Sequence, residues 1–154
     1  MQVTMTIDDL PSVKKKLEDI ASNITDTKPL MQELGNHLYN ISRDSFDNQK
    51  DPNGRTWSPL SNSTKKYKKT SKLLYASGDL QDKFIFKASK NEAVVGTNSN
   101  YRGYDYPSVH QFGTKDKKTP ARTFIPFNIN GELYDNVEND LVEIVVDFLE
   151  SGIN

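Results

Sequence analysis

Cysteine is absent from the chain, which excludes disulfides, thiolate zinc sites and cysteine nucleophiles and leaves folding and assembly compatible with a reducing cytoplasm. Histidine is nearly as scarce. His37 and His110 are the only two, with neither an i, i+4 spacing nor cysteine neighbours, so there is no metal signature and no cofactor is expected. Hydrophobic residues make up only 34% of the 154 and the mean hydropathy is -0.72, so the core must be thin for this length. Thin cores with 10% aromatic content suit proteins that finish burying their surface in an oligomer. Long hydrophobic runs are also missing. Nothing approaches the roughly 20 apolar residues of a membrane span, and the opening MQVTMTIDDL has no basic n-region or unbroken apolar stretch. The expectation is a soluble protein with no membrane partner that is not exported by the general secretory route. No Walker-type or Rossmann-type glycine pattern occurs.

What is present begins with charge. The net charge of -1 argues against a strong global attraction for nucleic acid, but the distribution is segregated. From Arg55 to Leu74 every charged residue is basic: Arg55, Lys65, Lys66, Lys68, Lys69 and Lys72. From Gly131 to Asn154 every one is acidic: Glu132, Asp135, Glu138, Asp140, Glu143, Asp147 and Glu150. Opposite blocks suit head-to-tail pairing between copies; as solvated faces they would only maintain solubility.

The length fits one domain, residues 1–154. Alternation in QVTMTI predicts a half-buried strand, and Leu10, Val13, Leu17, Ile20 and Ile24 recur at helical spacing. A second helix is expected from about Thr27–Pro29 to Asn48, with Leu30, Leu34, Leu38, Ile41 and Ser45 or Phe46 buried. DPNGRTWSPL follows, a run of turn residues holding the only tryptophan, so Trp57 should be pinned to the domain or to a partner. SPLSNSTKKYKKTSK permits at most a short helix. Residues 78–97 switch to period two and predict an antiparallel hairpin, with Phe84, Phe86 and Ala88 on one face. NSNYRGYDYPSVHQFGT reads as a tyrosine-rich loop, KDKK as an exposed turn, and TPARTFIPFNI as an edge strand or extended arm limited by its prolines. A closing helix over about 132–150 carries Leu133, Val137, Leu141, Ile144, Val145, Phe148 and Leu149 as its apolar stripe. Asp147 and Glu150 near its C-terminus oppose the helix dipole. The fold class is α+β: long N- and C-terminal helices packed on a small antiparallel sheet.

Chemistry-bearing constellations are few. His110 could serve as a general base only if an acid and a nucleophile converged on it, and GYDYPSVHQFG holds no recognised nucleophile motif, so a hydrogen-bonded structural histidine is expected. His37 falls on a helix as a partly exposed residue. KKYKKTSK interleaves lysines with Tyr67, a composition suited to nonspecific, salt-sensitive DNA contact through phosphate attraction and stacking. It contains none of the arginine that commonly reads base edges.

Five motifs in order, DPNGRTWSPLS, LLYASGDL, VVGTNSNY, YPSVHQFGT and TPARTFIPF, together resemble the bacteriophage virion morphogenesis family, which includes tail completion proteins of contractile-tailed phages. The resemblance spans residues 40 to 127. It implies a non-enzymatic structural protein acting late in virion assembly at the head-proximal end of the tail. It further implies a small α+β fold whose subunits form rings, commonly hexameric, against the tail tube, tail terminator or neck and connector proteins. The protein would lie in the virion tail or neck, having assembled in the host cytoplasm. Carried onto this chain, the motif positions are Gly54 and Trp57, Ser77, Gly78 and Leu80, His110, Gln111, Phe112 and Gly113, and Pro120 to Phe124. None brings a catalytic role. Tyr104 to Pro107 depart from the small residues usual before the histidine motif. Trp57 and Leu60 would clamp the loop while presenting Arg55, Lys65, Lys66, Lys68 and Lys69 at an interface. Arg122 would pair bidentately with a carboxylate of the acidic last helix, within or between subunits.

Overall fold

A computed structural model of the chain describes residues 1–6, 11, 14, 15 and 26–151. The N-terminal alternation forms strand β1 (Gln2–Thr6). The helix read from Leu10 to Ile24 falls almost wholly outside the described residues.

Helix α1 (Lys28–Asn48) follows, within a residue or two of its expected bounds. Pro29 sits in its first turn, where a missing N–H costs nothing. Thr27 occupies the cap position, but its hydroxyl donates to the Lys90 carbonyl and makes no side-chain cap bond. The buried stripe contains Leu30, Leu34, Leu38 and Phe46, with Ile41 half-buried. Gly35 lies in the same stripe, and a Cβ there would come within 2.9 Å of the Phe86 ring and 3.3 Å of Ala93 Cβ. Glycine is unfavourable inside a helix by about 1 kcal/mol relative to alanine, and here that loss lets the helix backbone settle onto the sheet.

The sheet is antiparallel with order β1-β3-β2, where β2 is Phe84–Ala88 and β3 is Glu92–Thr97. The predicted hairpin is therefore present, and β1 adds to its far side. Register places Val3, Val95 and Phe86 side by side, with Met5, Ala93 and Ala88 in the next row. The face bearing Phe84, Phe86 and Ala88 meets α1, while Ile85 and Lys87 point away, as alternation required. The closing helix, labelled α5 (Asp135–Ser151), lies along α1 and buries Val137, Leu141, Val145 and Leu149. Its Leu133, Ile144 and Phe148 neighbours are partly buried against the same core. The result is an α+β protein in which α1 packs on a three-stranded antiparallel sheet and α5 packs on α1.

The connections depart from the sequence reading in two places. The stretch read as a tyrosine-rich loop contains a helix, α4 (Tyr106–Phe112), whose Asp105 side chain caps the Ser108 amide at 3.2 Å and whose Pro107 lies in the first turn. Asp-x-Pro at a helix start carries that signal, and the surrounding tyrosines and glycines obscured it. The second departure is the placement of TPARTFIPF, which joins no sheet edge, as the extended-arm alternative allowed, but is not peripheral. It runs through the core, with Phe124 and Ile125 fully buried and Phe127 nearly so. Two further short helices lie among the described residues: α2 (Asn62–Tyr67), capped by Ser61 as the short-helix expectation allowed, and α3 (Asp79–Asp82).

Candidate functional site

The motif residues converge on the buried TPARTFIPF segment. Apart from one isolated bridge between Phe127 and Leu133, its backbone has no strand partner, yet buried amides and carbonyls must be paired. Gln111 supplies the partners. Its Oε1 accepts from the Phe124 and Ile125 amides at 2.9 and 3.0 Å. Its Nε2 donates to the Ile125 and Phe127 carbonyls at 2.8 and 3.1 Å. A carboxamide has two donor hydrogens and two acceptor lone pairs, so this side chain, 1% exposed, is saturated. The Arg122 amide also donates to the His110 carbonyl at 2.7 Å, and the Thr123 hydroxyl to the Gln111 carbonyl at 3.1 Å. Gly113 ends α4 at φ 75, ψ -176, a region nearly reserved for glycine. A Cβ there would stand 2.9 Å from both Thr119 O and Ala121 N, so glycine is required for the segment to pass this close. His-Gln-Phe-Gly and Pro-Ala-Arg-Thr-Phe are thus two halves of one clamp.

Trp57 and Arg122 fix the adjoining loop. Trp57, 4% exposed, packs edge-on to Phe46 at 6.1 Å and donates Nε1–H to the Thr123 carbonyl at 2.9 Å. It clamps its own loop to the core, and Leu60 is half-buried beside it. Arg122 does not reach an α5 carboxylate in this chain. Its Nε and Nη2 donate to the Ser58 and Pro59 carbonyls at 2.9 and 3.1 Å. Phe124 completes the packing 4.9 Å from the Phe46 ring. Gly54 is at φ 81 in an open turn, and Gly78, at φ 96, precedes α3.

Beside this clamp lies a cavity of about 800 Å³, walled by Pro59, Leu60, Lys68, Tyr75, Gly78, Tyr101, Tyr106, His110 and Arg122. Four of its groups carry or can carry positive charge: Lys68, His110, Lys118 and Arg122. Burial lowers the pKa of His110, and the nearby charges of Arg122 and Lys68 lower it further. Lys68 is lowered by burial and then by Arg122, and Arg122 by burial. Lys68 Nζ donates to the Lys72 carbonyl. Lys118 on the rim is paired with Asp116 at 3.1 Å, and Asp79 with Lys83 at 3.4 Å. His110 Nδ1 is buried and has no hydrogen-bond partner among the described residues, contrary to the bonded histidine expected.

The other sequence-predicted residues are dispersed. Arg55, Lys65, Lys66 and Lys69 are exposed, as is Tyr67 at 88%. Phe112 is half-buried on the opposite side of α4, in an open groove whose titratable groups include Glu132, Asp135 and Glu138. Among the described residues, no ion pair joins the basic run to the α5 carboxylates. Lys72 approaches Asp47 at 3.9 Å, and Asp140 lies 3.4 Å from His37 Nε2. No group of three carboxylates or histidines able to hold a metal occurs among the described residues, and no described helix is long and apolar enough to cross a membrane. Sequence reasoning missed Gln49, whose side chain ties the end of α1 to Leu73, and missed Tyr75, Tyr101 and Tyr106 as walls of one cavity. The density of tyrosines was the available signal for the latter.

Comparison with known proteins returns one family. The model of the phage virion morphogenesis family matches residues 8–145 of the 154. No curated protein and no solved structure matches the chain significantly.

Proposed function

The chain belongs to the phage virion morphogenesis family, a family of structural virion assembly, and from that premise we propose that it acts in tail completion and stable head-tail joining as a ring-forming oligomer. One observation carries the reading beyond the family. The motif side chains Trp57, Gln111 and Arg122 are occupied inside the chain, while the exposed chemistry is a basic run and an acidic helix that do not pair with each other. Motifs that build a scaffold, with charge of both signs left at the surface, suit a protein whose work is contact with other proteins. Head-to-tail use of two different surfaces closes into a ring when the rotation permits, which matches the geometry of a tail end. The contacts would be with the tail tube, the tail terminator or a neck and connector protein.

The test is deletion of the gene from its parent phage, with electron microscopy of the lysate and complementation from a plasmid. Filled heads lying apart from tails, with head-proximal tail ends malformed and both defects cured by complementation, are expected. Normal infectious particles would sink the proposal. A second reading, nonspecific DNA contact, is favoured by one observation: Tyr67 stands almost fully exposed among exposed lysines on α2. It requires affinity that falls steeply with salt and disappears when Lys65, Lys66, Lys68, Lys69 and Lys72 become glutamine.

A further inference from the structure

We propose that the cavity between Lys68, His110 and Arg122 is the receptor for the acidic stripe Glu143, Asp147 and Glu150 on helix α5 of a second copy of this chain. The inference rests on the ring-forming reading above and names the surfaces that would form the contact.

Two observations meet in it. The first is the cavity. Lys68 and Arg122 lie close enough to His110 to lower its pKa, and all three line the cavity. Asp79, the one carboxylate on the lining, already pairs with Lys83. Partly buried like charges oppose folding, so this wall is better suited to an anion than to being empty of one. Pro59, Leu60 and the tyrosine rings add apolar walls that would exclude water and strengthen an ion pair formed there.

The second is α5. Its first-turn acids, Asp135 and Glu138, are favoured by the positive end of the helix dipole and need no partner. Glu143, Asp147 and Glu150 recur at four- and three-residue steps on one exposed line toward the negative end, with no basic residue in the last turn. None has an ion-pair partner among the described residues. A cationic partner would relieve the repulsion. No α5 residue lines the cavity, so the chain does not close this pair on itself. The acceptor on one copy and the donor on the next make a heterologous contact, the type that generates rings.

The experiment is sedimentation velocity on the full chain at low and high salt, with circular dichroism to verify folding. Lys68→Glu should fold, because the new carboxylate faces Arg122. The triple variant Glu143→Lys, Asp147→Lys, Glu150→Lys should also fold, because it reverses exposed positions in favour of the dipole. Each alone should weaken self-association by about tenfold or more. Mixed together, they should regain assemblies larger than a dimer in which the two variants alternate, since the native acceptor meets the native donor and the reversed acceptor meets the reversed donor. All four changes in one chain should restore larger assemblies. Wild-type association that is indifferent to Lys68→Glu would overturn the cavity assignment and leave the ring reading standing. A wild-type chain that stays monomeric at every concentration would overturn both. DNA binding lost in Lys68→Glu with sedimentation unchanged would assign the cavity to phosphate and overturn the proposal.

Discussion

Gln111 shows how one side chain can stand in for a missing strand. Replacement by leucine preserves approximate volume but strands the Phe127 carbonyl and the Phe124 and Ile125 amides, each costing about 1–3 kcal/mol when unpaired, and leaves the Ile125 carbonyl with only the Phe127 amide. Gln111→Leu is therefore expected to lower the urea midpoint by more than any exposed substitution, with loss on the order of 4 kcal/mol if the three penalties partly overlap. Gly113 and Gly54 offer a contrast between two positive-φ glycines. Gly113→Ala meets backbone atoms at 2.9 Å, whereas Gly54→Ala meets nothing within 4 Å and faces only the left-handed backbone preference. Thermal melts should show the first costing several-fold more than the roughly 1 kcal/mol of the second. His110 gives a pH dependence of defined sign. Burial, Arg122 and Lys68 lower its pKa in the folded chain, so the unfolded chain binds the proton more readily. Its contribution is fully present above the unfolded value of about 6.5 and is lost as pH falls below that toward the folded pKa. Tyr106 stands 6.1 Å from the ring, and Asp79 and Lys118 lie elsewhere on the cavity lining. Between pH 7 and 5 the stability of His110→Gln should fall less steeply than that of the native chain, as read from denaturant midpoints; equal slopes would remove His110 as the titrating group.

Helices α1 and α5 and the β2–β3 hairpin were legible because their signal is local. Leu30, Leu34 and Leu38 repeat at helical spacing, and Phe84, Phe86 and Ala88 at strand spacing, before any tertiary contact is known. The addition of β1 to β3 was not legible, since Val3 and Val95 are paired across most of the chain and nothing local announces it. Nor was the course of residues 120–127. Its prolines forbid a ladder, and its hydrogen bonds come from a glutamine side chain 13 to 16 positions away. The candidate site followed the same division. The lysine run and Arg122 could be named from type alone, but within the chain Arg122 donates to turn carbonyls and not to an α5 carboxylate, a partner no residue type announces. The loop carrying Trp57 and the segment carrying Arg122 are joined by bonds running both ways: the indole to Thr123, the guanidinium to Ser58 and Pro59. Trp57→Phe and Arg122→Lys should therefore be non-additive. A double-mutant cycle by urea denaturation is expected to give a coupling of about 0.5–3 kcal/mol, and additivity within about 0.3 kcal/mol would mean the two anchors act independently.

Across the chain, scaffold and surface are separable, and that separation makes the assembly role testable without confusing it with folding. Lys65, Lys66 and Lys69 are exposed and make no ion pair among the described residues. Exposed substitutions away from caps and cores usually change stability by no more than about 0.5 kcal/mol. Changing all three to glutamine should leave the melting temperature nearly unaltered, in contrast to Gln111→Leu. If the basic run contacts other virion proteins, the same triple variant should fail to complement a deletion phage, and the loss of titre should exceed anything its stability could account for. Gln111→Leu should lower titre too, but in proportion to the soluble folded protein recovered, and growth at lower temperature should rescue it. Full complementation by the lysine variant would remove the exposed run from the interface and leave the buried Arg122 and half-buried Lys68 of the cavity to carry it. The two classes of variant thus separate loss of the fold from loss of the contact, since only the second reduces titre while the protein remains folded.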